Sequence, residues 1–359
     1  MIVAPRQGSL NKRDAGLNKR RSVSPSACST GSETTESSKD PSIELSVPDQ
    51  PAASFPSKEA FSLSESGTTL RLLRNFACGG IGAAVSVAFS LWLPFTLARE
   101  AALKTYLPAF WNYDPSVSLF DNSPWTYGTD YMLAFCMLCL TLSMPKTDVF
   151  ASAGRKASGL LYCYLFSVLA GGLAHQFYTT NNSRNSTSFR LLWIVCVGTV
   201  ALASGFMGAV GGELVRLRNL KPLPDIPDSF WISYAVAIAG MVAAGCFSYQ
   251  RPACDIFIVG ITQFPSTVYI TLALLQFDAT RSTRRSVDGT MWWRLLGMAG
   301  FLLNAPLLPL YPILVQYTDW SLASVNTLLH AWLTVSWSMQ GISMYHAGKC
   351  INKETRKQI

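Results

Sequence analysis

Charge is what this chain has least of. Only 14% of its 359 residues are Asp, Glu, Lys or Arg, against about 25% in ordinary soluble domains, while 49% are hydrophobic and 12% aromatic. So few charges do not clothe a surface of this size in water, and the bilayer is the solvent the composition points to. Histidine is scarcer still: there are three in the chain, so the position of each is informative. The start MIVAPRQGSL has no secretory h-region, and the acidic residues that follow argue against a transit peptide, so the first membrane helix is expected to act as the targeting signal. No internal repeat is evident. The nine cysteines are an odd number, and most lie in apolar stretches, where thiols act as small apolar groups. That excludes a disulfide framework, and the C-x-x-C of Cys136 and Cys139 reads as helix packing rather than a redox or metal motif.

What is there is a succession of apolar runs. A hydrocarbon core of about 30 Å needs roughly 20 residues of helix, and windows of that length pick out 76–98, 128–145, 157–178, 191–212, 230–249, 253–277, 291–315 and 321–345. The expected fold class is therefore all-α, a polytopic membrane bundle of about eight spans. The expected domains are a disordered Ser/Thr/Pro-rich tail at 1–70, a first membrane helix with its lumenal loop at 71–127, a seven-helix core at 128–348 and a basic tail at 349–359.

The formal net charge of +8 does not point to nucleic acid, because the tail carries eight basic and eight acidic residues and the excess lies among the apolar runs. With a cytosolic amino terminus, sixteen basic residues flank the spans on the cytosolic side and five on the other. This positive-inside bias predicts cytosolic termini at both ends. The loop after the third span then faces the lumen or the exterior, and it holds two glycan acceptor triplets, beginning at Asn181 and Asn185. The membrane itself, endomembrane or plasma membrane, stays open.

Polar residues within spans are costly and mark function. Asp130 opens the second span, His175 closes the third, Asp255 heads the sixth, and His330 lies below the start of the eighth with Asn326 one turn above it on the same face. All fall in the outer half of the membrane, whereas His346 lies about 24 Å farther along the last helix. Neutral imidazoles are zinc ligands and a carboxylate is a third, with a fourth position open for hydrolytic chemistry. Asp130 and Asp255 also suit N-caps, and the boundaries read from the sequence put Asp130 roughly 13 Å above His330. A second feature is the seventh span, where Asn304 precedes Pro306, Pro309 and Pro312. Three prolines break a helix, and broken helices build many transporter sites. Gly171-Gly172 and GFMGAVGGEL favour close helix packing, and Glu213 with Arg216 and Arg218 reads as an interfacial charge group.

The segments TDYMLAF, GGLAHQF and NTLLHAWLTVSWSMQGISMYHAG resemble a group of seven-helix membrane proteins distantly similar to the superfamily of alkaline ceramidases and adiponectin-receptor-like proteins. The resemblance implies a seven-helix core holding zinc through one early-helix histidine and two from the last helix, with an aspartate and a serine completing an amide-hydrolysing site. His175 would match the early ligand, His330 one late ligand, and Asp130 or Asp255 the carboxylate. The chain departs from that pattern, since Asn326 and Thr334 flank His330 at four residues and Gly171 stands four before His175.

Three function classes follow. The first is a pocket of Asp130, His175, Asn326 and His330 that binds a lipid or small molecule, with zinc and lipid amide or ester hydrolysis as its chemistry. The second is a transporter using Asn304 and Pro306, and the third a receptor or scaffold without chemistry.

Overall fold

The computed structural model describes residues 58–97, 121–144, 151–249, 258–277, 291–307, 310, 314 and 318–355. These form helices and connectors, with no strand among the described residues. The elements are α1 (Lys58–Leu97), α2 (Pro124–Ser143), α3 (Ala151–Phe177), the single turn α4 (Asn181–Arg184), α5 (Thr187–Arg218), α6 (Asp228–Tyr249), α7 (Phe264–Gln276), α8 (Met291–Asn304) and α9 (Leu322–Thr355). Among the described residues, four stretches are long and apolar enough to cross a membrane: Thr68–Ser90, Ser152–Phe177, Thr187–Leu217 and Ile258–Gln276.

Local chemistry sets the helix ends. The side chain of Ser123 caps α2 by accepting from the Thr126 N–H at 3.3 Å, and Pro124 occupies the first turn, where its missing donor costs nothing. Ser186 caps α5 in the same way through the Phe189 N–H. At the far end of α5, Asn219 adopts the left-handed conformation with φ of 48°. The N–H groups of Asn219 and Leu220 then return to the carbonyls of Arg216 and Val215, the paired closure typical of such ends. Buried Arg294 closes α7 from the neighbouring helix, donating to the Leu274 and Leu275 carbonyls at 2.9 and 3.0 Å.

Helix contacts trace a closed ring. Helix α2 packs on α3, α3 on α5, α5 on α7, α7 on α8, α8 on α9, and α9 back on α2. Helix α6 lies outside the ring against α5, and α1 lies outside α6. The extra amino-terminal helix thus packs on the bundle: Gly79 meets α6 so closely that a Cβ would sit 2.5 Å from the Phe230 carbonyl, and Tyr234 Oη donates to Ser86 Oγ at 3.0 Å. Inside the ring, Tyr164, Trp293, Phe301, Leu133 and Met137 are fully buried. Outward, large apolar side chains stand exposed on every side, among them Ile81, Phe135, Phe166, Val195, Val236, Leu275, Leu302 and Val335. Apolar surface on that scale is unfavourable in water and suits lipid.

Two boundaries differ from the sequence reading. Helix α1 begins at Lys58, so thirteen residues of the tail expected at 1–70 are helical, KEAFSLSESG being compatible with helix despite its low hydropathy. Helix α2 begins at Pro124 rather than near 128, which moves Asp130 away from the helix end.

Candidate metal site

With Ser123 as the cap, Asp130 is not an N-cap; it lies in the second turn of α2, on the face turned toward the ring interior, and is 3% exposed. Gly171 and Gly172 of α3 admit it. A Cβ at Gly172 would stand 3.2 Å from Asp130 Cβ and 2.8 Å from Tyr131 Cε1, and one at Gly171 would stand 3.6 Å from Asp130 Oδ2. The glycines therefore bring the two helix backbones together at the level of the carboxylate. One turn farther along α3, Tyr131 Oη donates to Gln176 Oε1 at 2.5 Å and fixes the register.

The depth difference expected between Asp130 and His330 does not exist in the fold. His330 Nδ1 lies 3.1 Å from Asp130 Oδ1 and 3.2 Å from the Thr126 carbonyl. The correction follows from the earlier start of α2, which carries Asp130 down to the level that His330 reaches from α9. His175, in the last turn of α3, completes the group: its ring centroid is 5.7 Å from that of His330, the rings meeting edge to face at 65°. One ligand-type atom from each of Asp130, His175 and His330 lies within 4.8 Å of the others. Asp130 Oδ2 is buried and has no hydrogen-bond partner. A buried, unpartnered carboxylate oxygen beside two imidazoles fits a divalent cation, since such an oxygen is costly without one. The donor set, two nitrogens and one carboxylate, is one that catalytic zinc sites use.

A segment that sequence reading passed over packs against both histidines. His175 Nδ1 donates to the Asp121 carbonyl at 2.6 Å. Asn122 Nδ2 donates to the His175 carbonyl at 2.5 Å and to that of Tyr178 at 3.3 Å, closing the end of α3. The buried Asp121 carboxylate accepts from Ser123 N–H, Ser123 Oγ and Thr126 Oγ1.

The remaining candidates lie elsewhere or apart. Asn326 is half-buried one turn before His330 and hydrogen-bonds none of the three groups. Asp255, Pro309 and Pro312 lie outside the described residues. Helix α8 ends at Asn304, and a turn at Ala305 and Pro306 follows, as three prolines demand. The Asn304 amide, however, is engaged at both ends, donating to Gln263 Oε1 at 3.4 Å and accepting from Trp337 Nε1 at 3.2 Å. It belongs to a second buried network across the ring. There Tyr164 stacks on Trp337 with centroids 3.9 Å apart and donates to Gln340 Oε1 at 2.8 Å, Gln340 donates to the Gly300 carbonyl, and Gln263 to that of Val200. His346 packs edge-on against Trp292, remote from the site.

At the bundle end opposite the histidines, Lys156 pairs with Glu213 and Asp228 at 2.5 and 2.6 Å, and Arg216 with Glu213, Asp225 and Asp228. This network joins α3, α5 and the start of α6 and extends the charge group expected at Glu213. Cys136, Cys139, Cys163 and Cys196 are free thiols. Asn185 is exposed in the turn after α4, and the backbone of Asn181 begins that turn of helix.

No family model matches the chain, and neither a curated protein nor a solved structure does.

Proposed function

We propose that this chain is an eight-span membrane protein with both termini in the cytosol, and that Asp130, His175 and His330 form a zinc site for hydrolysis of a lipid amide or ester. The observation that carries the reading is the convergence of two imidazoles and an unpartnered buried carboxylate oxygen from three different helices. Exposed apolar side chains around the bundle suit a lipid surround, which makes a membrane lipid the substrate class at hand. Bound there, zinc would supply a Lewis acid for a carbonyl oxygen. The protein's own contribution is to hold two imidazoles at fixed angles and to keep the Asp130 carboxylate out of water. Asp130 Oδ1 lies 3.1 Å from His330 Nδ1 and supplies negative charge beside the imidazole, while Oδ2 is buried with no hydrogen-bond partner.

The resemblance to the alkaline ceramidase and adiponectin-receptor-like superfamily points to the same chemistry with two departures: Asn326 and Thr334, four residues either side of His330, supply no second last-helix histidine, and Gly171 stands where the early-helix serine would be. The donor set here counts Asp130 in place of the missing histidine. Transport through the broken span is less supported, because Asn304 is engaged at both ends of its amide by Gln263 and Trp337.

The test is metal content by mass spectrometry on the detergent-purified full chain, prepared without chelator, beside His175→Ala and His330→Ala. Near-stoichiometric zinc that disappears in both variants supports the site. A folded wild type without metal rejects it.

A further inference from the structure

Two backbone carbonyls from one short segment face the same nitrogen of each site histidine. The Asp121 carbonyl is 2.6 Å from His175 Nδ1, and the Thr126 carbonyl is 3.2 Å from His330 Nδ1, beside Asp130 Oδ1 at 3.1 Å. A carbonyl oxygen only accepts, so in both rings Nδ1 carries the hydrogen and Nε2 keeps the lone pair. The segment cannot drift from either ring. Asp121 is tied to Ser123 and Thr126 through its carboxylate, and Asn122 is tied through two donated bonds to the end of the helix that bears His175.

We propose that residues 121–126 are the positioning element of the site. They fix the Nδ1–H tautomer of both His175 and His330, so that zinc is taken by Nε2 of each, and Asn122 is the clasp that holds the segment on α3. This rests on the zinc reading of the same site. Outer hydrogen bonds of this kind set the tautomer and ring orientation of metal-binding histidines, and their loss typically costs about 10–100-fold in metal affinity. Asn122 touches no reacting group and acts only through His175.

The chain has three histidines, so nitrogen NMR of the full chain labelled in histidine yields few ring signals, and His175→Ala and His330→Ala serve to assign them. In metal-free wild type both site rings are expected as Nδ1–H. Zinc should then shift Nε2 while both Nδ1–H signals persist. An Nε2–H tautomer in either ring, or loss of an Nδ1–H on zinc addition, overturns the proposal while leaving zinc binding itself intact. Correct tautomers with no response to zinc in either ring overturn the metal reading and this role with it. As a second arm, Asn122→Ala and the near-isosteric Asn122→Asp, which cannot donate to two carbonyls, should each weaken zinc binding about 10–100-fold. Unchanged affinity and tautomers in a folded variant overturn the clasp. Should neither variant fold, the wild-type tautomers still decide.

Discussion

Asp130 of α2 and His330 of α9 meet at 3.1 Å, and the contact uses one carboxylate oxygen while leaving the other without a partner. The asymmetry sets how the site responds to mutation. Asp130→Asn keeps the shape but removes the negative charge that both holds the imidazole and faces the cation. Zinc affinity is expected to fall at least about 10–100-fold, the range seen when a carboxylate partner of a metal histidine is lost. Competition titration against a chelator measures it, and equal affinity in the variant would remove Asp130 from the site.

Acidity should act in the same direction. Metal ligands bind through lone pairs, so protons compete with a cation for Nε2 of each histidine and for the Asp130 carboxylate. Affinity should therefore decline as the solution is acidified. Cobalt titration followed by its visible absorption reads the change, and a flat profile on acidification would argue that no histidine is a ligand.

The two glycines of α3 make different predictions. A methyl at Gly171 meets Cys196 Sγ at 3.5 Å and Asp130 Oδ2 at 3.6 Å, ordinary contacts, whereas one at Gly172 meets Tyr131 Cε1 at 2.8 Å. Gly172→Ala should cost about 1–3 kcal/mol through overpacking and push Asp130 off His330, reducing metal content. Gly171→Ala should fold with near wild-type stability. Thermal melts in detergent together with metal analysis distinguish them, and equal melting temperatures would mean that the α2–α3 spacing is not set at Gly172.

Much of this architecture was legible in the sequence, and the exceptions have physical causes. Apolar runs long enough for a bilayer gave the helices, because hydrophobicity is the one property that lipid-facing and core-facing positions share. Asp130, His175 and His330 stood out because a polar side chain in an apolar run needs a reason. Their contact did not, since it depends on where α2 starts. The signal was present in Asp121-Asn122-Ser123-Pro124, a capping serine before a first-turn proline, which puts Asp130 two turns deep and brings it level with His330. Gln263 and Gln340 carried the same polar-in-apolar mark but lacked charge, and amides hydrogen-bonded to a tyrosine and to backbone carbonyls leave no spacing to recognise. That α6 and α1 lie outside the ring is invisible to hydropathy, as both are as apolar as the helices inside it.

The network at the ring centre should behave as packing rather than as a site. Tyr164→Phe removes the 2.8 Å bond to Gln340 while keeping the stack on Trp337. In a membrane bundle such a bond contributes about 0.6 kcal/mol on average and up to about 1.7. A double-mutant cycle with Gln340→Leu, read by unfolding in mixed detergent, should return coupling in that range with zinc content unaffected. Loss of metal in Tyr164→Phe would show that the two networks are one.

Glycan attachment tests the orientation of the whole bundle. The turn between α3 and α5 carries both acceptor triplets, and they are not equivalent. In the first, the Ser183 hydroxyl is committed to the Thr180 backbone, accepting its N–H at 3.2 Å and donating to its carbonyl at 2.8 Å. In the second, Asn185 is exposed and Thr187 stands exposed at the head of α5. With the histidine end of the bundle lumenal, Asn185 should carry the glycan, so Asn185→Gln should collapse a glycosidase-sensitive band on a gel while Asn181→Gln leaves it. Because the same turn follows directly from the helix end that bears His175, a glycan at Asn185 would also place the candidate site in the lumenal half of the membrane. Digestion of a tag in this turn by protease added to sealed microsomes would invert the topology and bring the candidate site to the cytosolic leaflet.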